Sequence, residues 1–256
     1  MERLNAEEFN KLLTPVSAEN EWYYSRSIKR EANLFARAEY SPLSWLTAYL
    51  DLQYRGASLK MSGIDDEDDL DIGYRTSWNF FNPRAGLTFR KDYHKAYVSA
   101  ALGNREPGRS DIKEVIITNN LGGSRPDLKP EKMVDVEIGY EFASEKVTAS
   151  ANLYFMEYFD MLLETGRLSD VGYAIKENVG RAYRRGAELA VAWQAAPWVR
   201  LDANATLSMN RIRNYVEYYT VIDDDWNEKG QKAVEYGTTR MLMSPSVVGL
   251  VQLSFT

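Results

Sequence analysis

Residues 124–155 read SRPDLKPEKMVDVEIGYEFASEKVTASANLYF, and the parity of this stretch decides the fold. Val134, Val136, Ile138, Tyr140 and Phe142 alternate with Asp135, Glu137, Gly139 and Glu141. After a polar turn at 143–145 the alternation resumes, with Val147, Ala149, Ala151, Leu153 and Phe155 against Lys146, Thr148, Ser150, Asn152 and Tyr154. A period of two marks a strand with one apolar and one wet face. Each run has the roughly 9–11 residues that a tilted strand needs to cross a bilayer.

The same pattern recurs outward in both directions. Apolar stripes run through Leu34–Tyr40, Leu46–Tyr54, Ala85–Phe89, Ala96–Leu102, Leu189–Trp193, Val199–Leu207 and Val247–Phe255. That gives about nine strands, and their connections alternate short and long. Links at 41–45, 91–94, 143–145 and 195–197 are short; segments at about 57–78, 105–130, 159–178 and 211–242 are long and polar. Outer-membrane barrels pair short periplasmic turns with longer extracellular loops. The expected fold is therefore all-β, an antiparallel up-and-down transmembrane β-barrel of which about nine strands are present. The last strand fits less well: Val248, Leu250, Gln252 and Ser254 leave its second face nearly apolar, so either the register differs or this face meets protein.

Charge separates the two faces. No Asp, Glu, Lys or Arg lies in the apolar stripes, where a basic residue at the bilayer midplane costs about 2–4 kcal/mol. The opposite stripes hold Arg37, Glu39, Asp51, Arg55, Arg90, Lys95, Asp135, Glu137, Glu141, Lys146, Arg200 and Asp202, which need water or partners. A sandwich core would also be free of charge. Strand length, loop alternation and aromatics near the strand ends (Tyr40, Trp45, Trp78, Phe80, Phe81, Trp193, Trp198) favour lipid.

Composition narrows the classes further. The 256 residues are 45% hydrophobic and 27% charged, with mean hydropathy −0.45. No run approaches the ~18 apolar residues of a membrane helix. The net charge of −6 argues against a nucleic-acid partner. The absence of Cys removes thiolate-metal, disulfide and cysteine-nucleophile chemistry. Near the N-terminus Glu2, Arg3, Glu7 and Glu8 occupy the place of a signal peptide's apolar core, so the chain is expected to be a piece of a longer one or to start internally. Residues 1–29 read as an irregular part of an extracellular loop, with a helical turn or two around Glu7–Leu13, and residues 30–256 as partial barrel.

Candidate chemistry is sparse. His94, the sole histidine, sits in a short turn without a triad or zinc partner, so no enzyme is expected. The acidic run Asp65–Asp71 lacks the ligand order of a calcium loop and reads as solvated; no cofactor or metal is expected. Trp78–Phe81 reads as interfacial belt. Tyr215, Tyr218, Tyr219 and Trp226 are candidates for ligand contact, because loops on a rigid scaffold carry recognition.

Three landmarks carry a family resemblance. Leu128-Lys129-Pro130-Glu131 with Glu137-Ile138-Gly139-Tyr140 resembles the LKPE…E-x-GY segment of TonB-dependent outer-membrane receptors. Asn104-Arg105-Glu106-Pro107 is similar to the family's R-x-P strand end, and Asn178-Val179-Gly180 through Gly186-Ala187-Glu188-Leu189 to its NvG…rG-x-E strand. The resemblance covers roughly residues 100–195. It implies the C-terminal-half portion of the barrel of a receptor in the outer membrane of a Gram-negative bacterium, importing a ferric siderophore or cobalamin with energy relayed by TonB. The family's barrel of about 22 strands surrounds a plug; neither plug nor TonB box is recognisable here. Asp51, Arg55, Asp135, Glu137, Glu141, Arg200 and Asp202 would then face that plug, or simply a hydrated lumen. Expected partners are outer-membrane lipid, the plug and remaining strands, and indirectly the TonB complex. With two unpaired edges the chain is not expected to form a closed pore alone. The alternatives are a soluble or periplasmic β-sheet binding protein and a SusC-like glycan importer.

Overall fold

The computed structural model describes residues 24–65, 70–119, 121, 126–168 and 174–255. One antiparallel sheet contains every strand: β1 (Tyr24–Leu43), β2 (Leu46–Asp65), β3 (Leu70–Asp71), β4 (Tyr74–Lys91), β5 (His94–Arg105), β6 (Glu131–Ala143), β7 (Val147–Leu168), β8 (Ala174–Ala196), β9 (Val199–Ile222), β10 (Glu228–Arg240) and β11 (Val247–Phe255). Nine of these, β1, β2 and β4 to β10, lie side by side in chain order. The first eight apolar stripes fall in β1, β2 and β4 to β9, the ninth is β11, which also pairs with β9, and β3 is a two-residue extension on β2. Among the described residues β1 pairs only with β2 and β11 only with β9, so the sheet is open on both sides and forms part of a barrel.

Register confirms the two faces. Leu34 pairs with Tyr54 and Tyr54 with Phe81; Ile138, Leu153, Ala187, Leu207 and Val247 form another lateral row. These rows are open rather than packed: Leu34 is 73% and Tyr40 70% exposed. A second sheet or helix layer on this side, which a soluble sandwich requires, is absent among the described residues. So much contiguous apolar surface suits hydrocarbon.

The strands are much longer than their membrane-crossing parts. β7, β8 and β9 have 22, 23 and 24 residues, about 75 Å at roughly 3.3 Å per residue, against ~30 Å of hydrocarbon. The excess is all at one end. The expected loops 57–78, 159–178 and 211–242 are largely strand, because cross-strand pairing continues above the apolar band. β1 likewise begins at Tyr24, six residues before the expected boundary at 30. Residues 1–23, including the expected turns at Glu7–Leu13, lie outside the described residues.

At the opposite end the turns shrink to Ser44–Trp45, Asp92–Tyr93, Ser144–Lys146 and Pro197–Trp198. β10 and β11 both pair with β9, at 211–222 and 199–207. They are one returning course interrupted at 241–246. That register puts Val248, Leu250, Gln252 and Ser254 on the polar face, and all but Ser254 are exposed.

The connection 105–130 was expected as loop and contains a helix, α1 (Arg109–Thr118). Above the membrane band the polar stripe of β2 turns apolar at Ala57, Leu59 and Met61. Leu59, Met61 and Ile72 bury themselves against Ile112 and Ile116 of α1, with Trp78 alongside. The helix therefore lies on the inner side of the wall. Lys176 on β8 reaches Asp111 at 3.1 Å, tying α1 to a strand far around the sheet.

A second buried cluster joins Val179, Ala182, Ile212, Tyr215 and Met241. Asp160 and Asn214 adopt left-handed φ of 52° and 53°, a conformation Asp and Asn tolerate best among residues with a Cβ. Beyond Asn214 the parity of β9 reverses and Tyr215 turns inward.

Candidate functional site

The inner wall is organised in lateral rows. Register places Arg37, Asp51, Arg84, Asp135, Arg184 and Asn210 in one row, with Ala101 and Met156 as spacers. Charge alternates along it. Arg37 Nε stands 3.6 Å from Asp51 Oδ1, too far for a hydrogen bond. Asp51 Oδ1, Asp135 Oδ1 and Arg184 Nε are all buried without a hydrogen-bond partner among the described residues. Unmade bonds on charged groups are costly.

The other residues expected on this face share it. Glu137 lines a cleft of about 330 Å³ with Asn152, Arg184 and Glu188, overhung by Met243–Pro245. Glu141 is 3.7 Å from Lys95. Arg200 donates to both carboxylate oxygens of Asp202 at 2.8 Å. In the next row Tyr97 on β5 lies across Gly139 on β6 and donates to Asn152 at 3.0 Å. Tyr49 covers Gly86 and Tyr154 covers Gly186 in the same way.

Arg55 sits higher, at the outer mouth. It donates to both oxygens of Glu106 at 2.6 Å and also to Glu31, while Lys29 meets Glu106 at 2.6 Å. Burial pushes the Glu106 carboxyl up, but the hydrogen bonds from Arg55 and Lys29 outweigh it and hold the group at about 2. Hydrogen bonds to Glu106 raise Lys29 and Arg55 in return. Lys29, Arg55 and Glu106, with Trp78, Arg105 and Arg109, line a cleft of about 340 Å³ beneath the start of α1. Lys29, Glu106 and Arg109 are missing from the sequence-based candidates; the Arg105-Glu106-Pro107 landmark was the signal that pointed there.

The three landmarks meet in space. Glu131, buried at the start of β6, pairs with Arg105 at 2.7 Å and accepts from the Leu162 amide at 2.6 Å. Asn178 accepts from the Lys129 amide at 2.7 Å and donates to the carbonyls of Lys129 and Asp160 at 2.9 and 2.6 Å. Together they fasten three outer strand ends.

The aromatic candidates divide. Tyr215 is buried and donates to the Glu164 carbonyl at 2.6 Å, so it is a packing residue rather than a free ligand contact. Tyr218 lies beneath Arg167. Tyr219 bonds Glu217 at 2.6 Å and Tyr236 at 2.8 Å, and those bonds raise its phenol. Trp226, 84% exposed, stands at the tip of the β9–β10 hairpin. Trp78 and Phe80 do not join an interfacial belt: Trp78 packs under α1 and Phe80, buried, lies under Arg55. Only Phe81 points out, because strand alternation splits the run. His94 Nδ1 is 2.7 Å from the Tyr140 hydroxyl. Asp65 pairs with Lys113 at 3.4 Å; residues 66–69 of the acidic run lie outside the described residues.

Comparison with known proteins gives a consistent result. Residues 4–250 match the family model described as TonB dependent receptor-like, beta-barrel. The pesticin receptor of Yersinia enterocolitica is 27% identical over 202 residues, covering 71% of this chain and 27% of the relative. The chain thus spans about a quarter of the curated relatives it matches. Among solved structures, the copper transporter OprC superposes with TM-score 0.62 at 14% identity, over 89% of this chain and 39% of that one. The ferric-catecholate import receptor Fiu of E. coli K12 gives 0.58 at 14%, over 79% and 30%, and the ferric yersiniabactin uptake receptor FyuA of Yersinia pestis 0.53 at 14%, over 84% and 38%. These structures share the fold. With the family model matched over nearly its whole length, this chain belongs to the TonB-dependent receptor β-barrel family, transport receptors of the Gram-negative outer membrane.

Proposed function

We propose that this chain supplies part of the wall of a receptor that imports a metal chelate of the ferric-siderophore kind across the outer membrane, with a plug in the lumen and energy from TonB. The observation that carries this reading is the lateral row in which Asp51, Asp135 and Arg184 each keep a buried polar atom without a partner. Three such atoms at one depth of the polar face suit a wall that receives a second polar surface. The substrate class rests on what relatives are named for: ferric catecholate, ferric yersiniabactin, alcaligin and copper. The basic and aromatic cleft around Arg55, Arg105, Arg109 and Trp78 suits an anionic chelate.

The test is uptake by cells whose only such receptor is the whole protein containing this chain. Labelled ferric siderophores, cobalamin and a malto-oligosaccharide are supplied with TonB present or deleted. TonB-dependent accumulation of iron is expected. Accumulation of cobalamin or sugar without iron would overturn the substrate class, and uptake indifferent to TonB would overturn the mechanism.

A further inference from the structure

The outer face of the wall changes character abruptly above the apolar band between β6 and β10. The last apolar rows contain Leu153, Leu207 and Val247, then Phe155 and Met209. In and immediately above them, on the same face, stand Lys132, Arg181, Arg185, Arg211, Arg213 and Arg240. Register makes them neighbours: Lys132 faces Phe159, Phe159 faces Arg181, and Arg181 faces Arg213; Tyr183 faces Arg211, and Arg211 faces Arg240. Among the described residues of these rows the one carboxylate is Glu157, which holds Arg185 at 3.3 Å and Arg213 at 3.7 Å.

Aromatic rings hold the guanidinium groups in place. Arg181 lies 5.0 Å from the Phe159 centroid, and Arg185 and Arg213 lie 4.5 and 5.1 Å from that of Tyr183. Stacking of this kind leaves the donor edges free for oxyanions. The side chains of Arg185 and Arg213 remain 46% and 39% exposed. Adjacent strands are about 4.8 Å apart and alternate residues about 6.7 Å, so the patch is as broad as a sugar headgroup. Glu157 offsets one of the six charges, and the remaining excess is self-repelling unless a further anion sits among them.

We propose that this patch binds the phosphorylated headgroup of an outer-leaflet glycolipid, whose acyl chains continue down over Phe155, Leu153 and Leu207. Charge complementarity and continuity with the lipid-covered band select this occupant: a phosphate anchored by hydrocarbon is the anion delivered at that height. The proposal depends on the outer-membrane location alone and not on what the receptor imports.

The experiment uses the whole receptor, extracted from outer membranes in a neutral detergent, stripped of lipid and titrated by native mass spectrometry with bis-phosphorylated lipid A, the same lipid dephosphorylated, and a zwitterionic phospholipid. Wild type should retain phosphorylated lipid A selectively. The Arg181→Gln, Arg213→Gln pair should weaken it about tenfold or more, given roughly 1 kcal/mol for each basic residue at an anionic headgroup. Arg37→Gln, on the other face, should leave it unchanged, and heat-modifiable gel mobility verifies that each variant is folded. Equal retention of dephosphorylated lipid A by wild type, or undiminished retention by the folded double variant, would overturn the proposal.

Discussion

Asn178 on β8 grips both the amide and the carbonyl of Lys129, at 2.7 and 2.9 Å, across 49 residues of chain. It spends its remaining donor on the Asp160 carbonyl, at the residue whose left-handed φ bends β7. One side chain thereby fixes the approach to β6, the bend in β7 and the outer part of β8. Two of the three family landmarks are joined in this contact, and Glu131 brings in Arg105 of the third.

Asn178→Ala should therefore act as the loss of three bonds, about 2–4 kcal/mol at roughly 1 kcal/mol each. Asn178→Asp keeps only the acceptor and sets a carboxylate against two carbonyls, so it should be no better. Urea or thermal unfolding of the intact receptor, followed by gel mobility, reads the difference; parity of both variants with wild type would rule out the clasp.

The rings over glycine make a graded prediction. A Cβ at Gly139 would stand 2.1 Å from the Tyr97 ring, which can swing away at the cost of its bond to Asn152. At Gly186 it would stand 2.4 Å from the Leu207 carbonyl oxygen, which is backbone and cannot yield. Gly180 has open space. Alanine should cost little at 180, about 1 kcal/mol at 139 and about 1–3 at 186, with denaturation midpoints falling in that order.

The mouth should respond to acid. The Glu106 carboxyl lies at about 2, below its ordinary 4.5. Its contribution is thus present above about pH 4.5 and lost as pH falls toward 2. Hydrogen exchange in residues 105–118 should rise over that window in wild type. In Glu106→Gln it should be raised already at neutral pH and flat with acid.

Ile116 is fully buried between α1 and the β2 wall. Ile116→Ala should cost about 2–4 kcal/mol locally, freeing the helix while the membrane band keeps its pairing. Limited proteolysis should then cut within 105–130, with heat-modifiable mobility unchanged.

The aromatic candidates separate by burial. Tyr215→Phe removes a bond to the Glu164 carbonyl and should cost about 1 kcal/mol of stability. Trp226→Ala, at the exposed hairpin tip, should leave unfolding unchanged, so any loss of ligand uptake there reports recognition alone.

The sequence by itself determined the membrane-crossing ribbons, their two faces, the short turns and the family. A period of two is a local property, and each side chain in Val134–Phe155 declares its face without knowing its neighbours. Only the tertiary structure decided what lies above the band. Leu59, Met61 and Ile116 read as loop residues until register carries β2 upward and α1 folds inward over it. Tyr215 reads as exposed until the left-handed Asn214 reverses its strand. The basic patch draws on residues from five strands, scattered between 132 and 240, and Arg181 becomes the neighbour of Arg213 only through pairing. Alternation sets which way a residue points; strand register and backbone bends set what it meets, and those depend on contacts far apart in the chain.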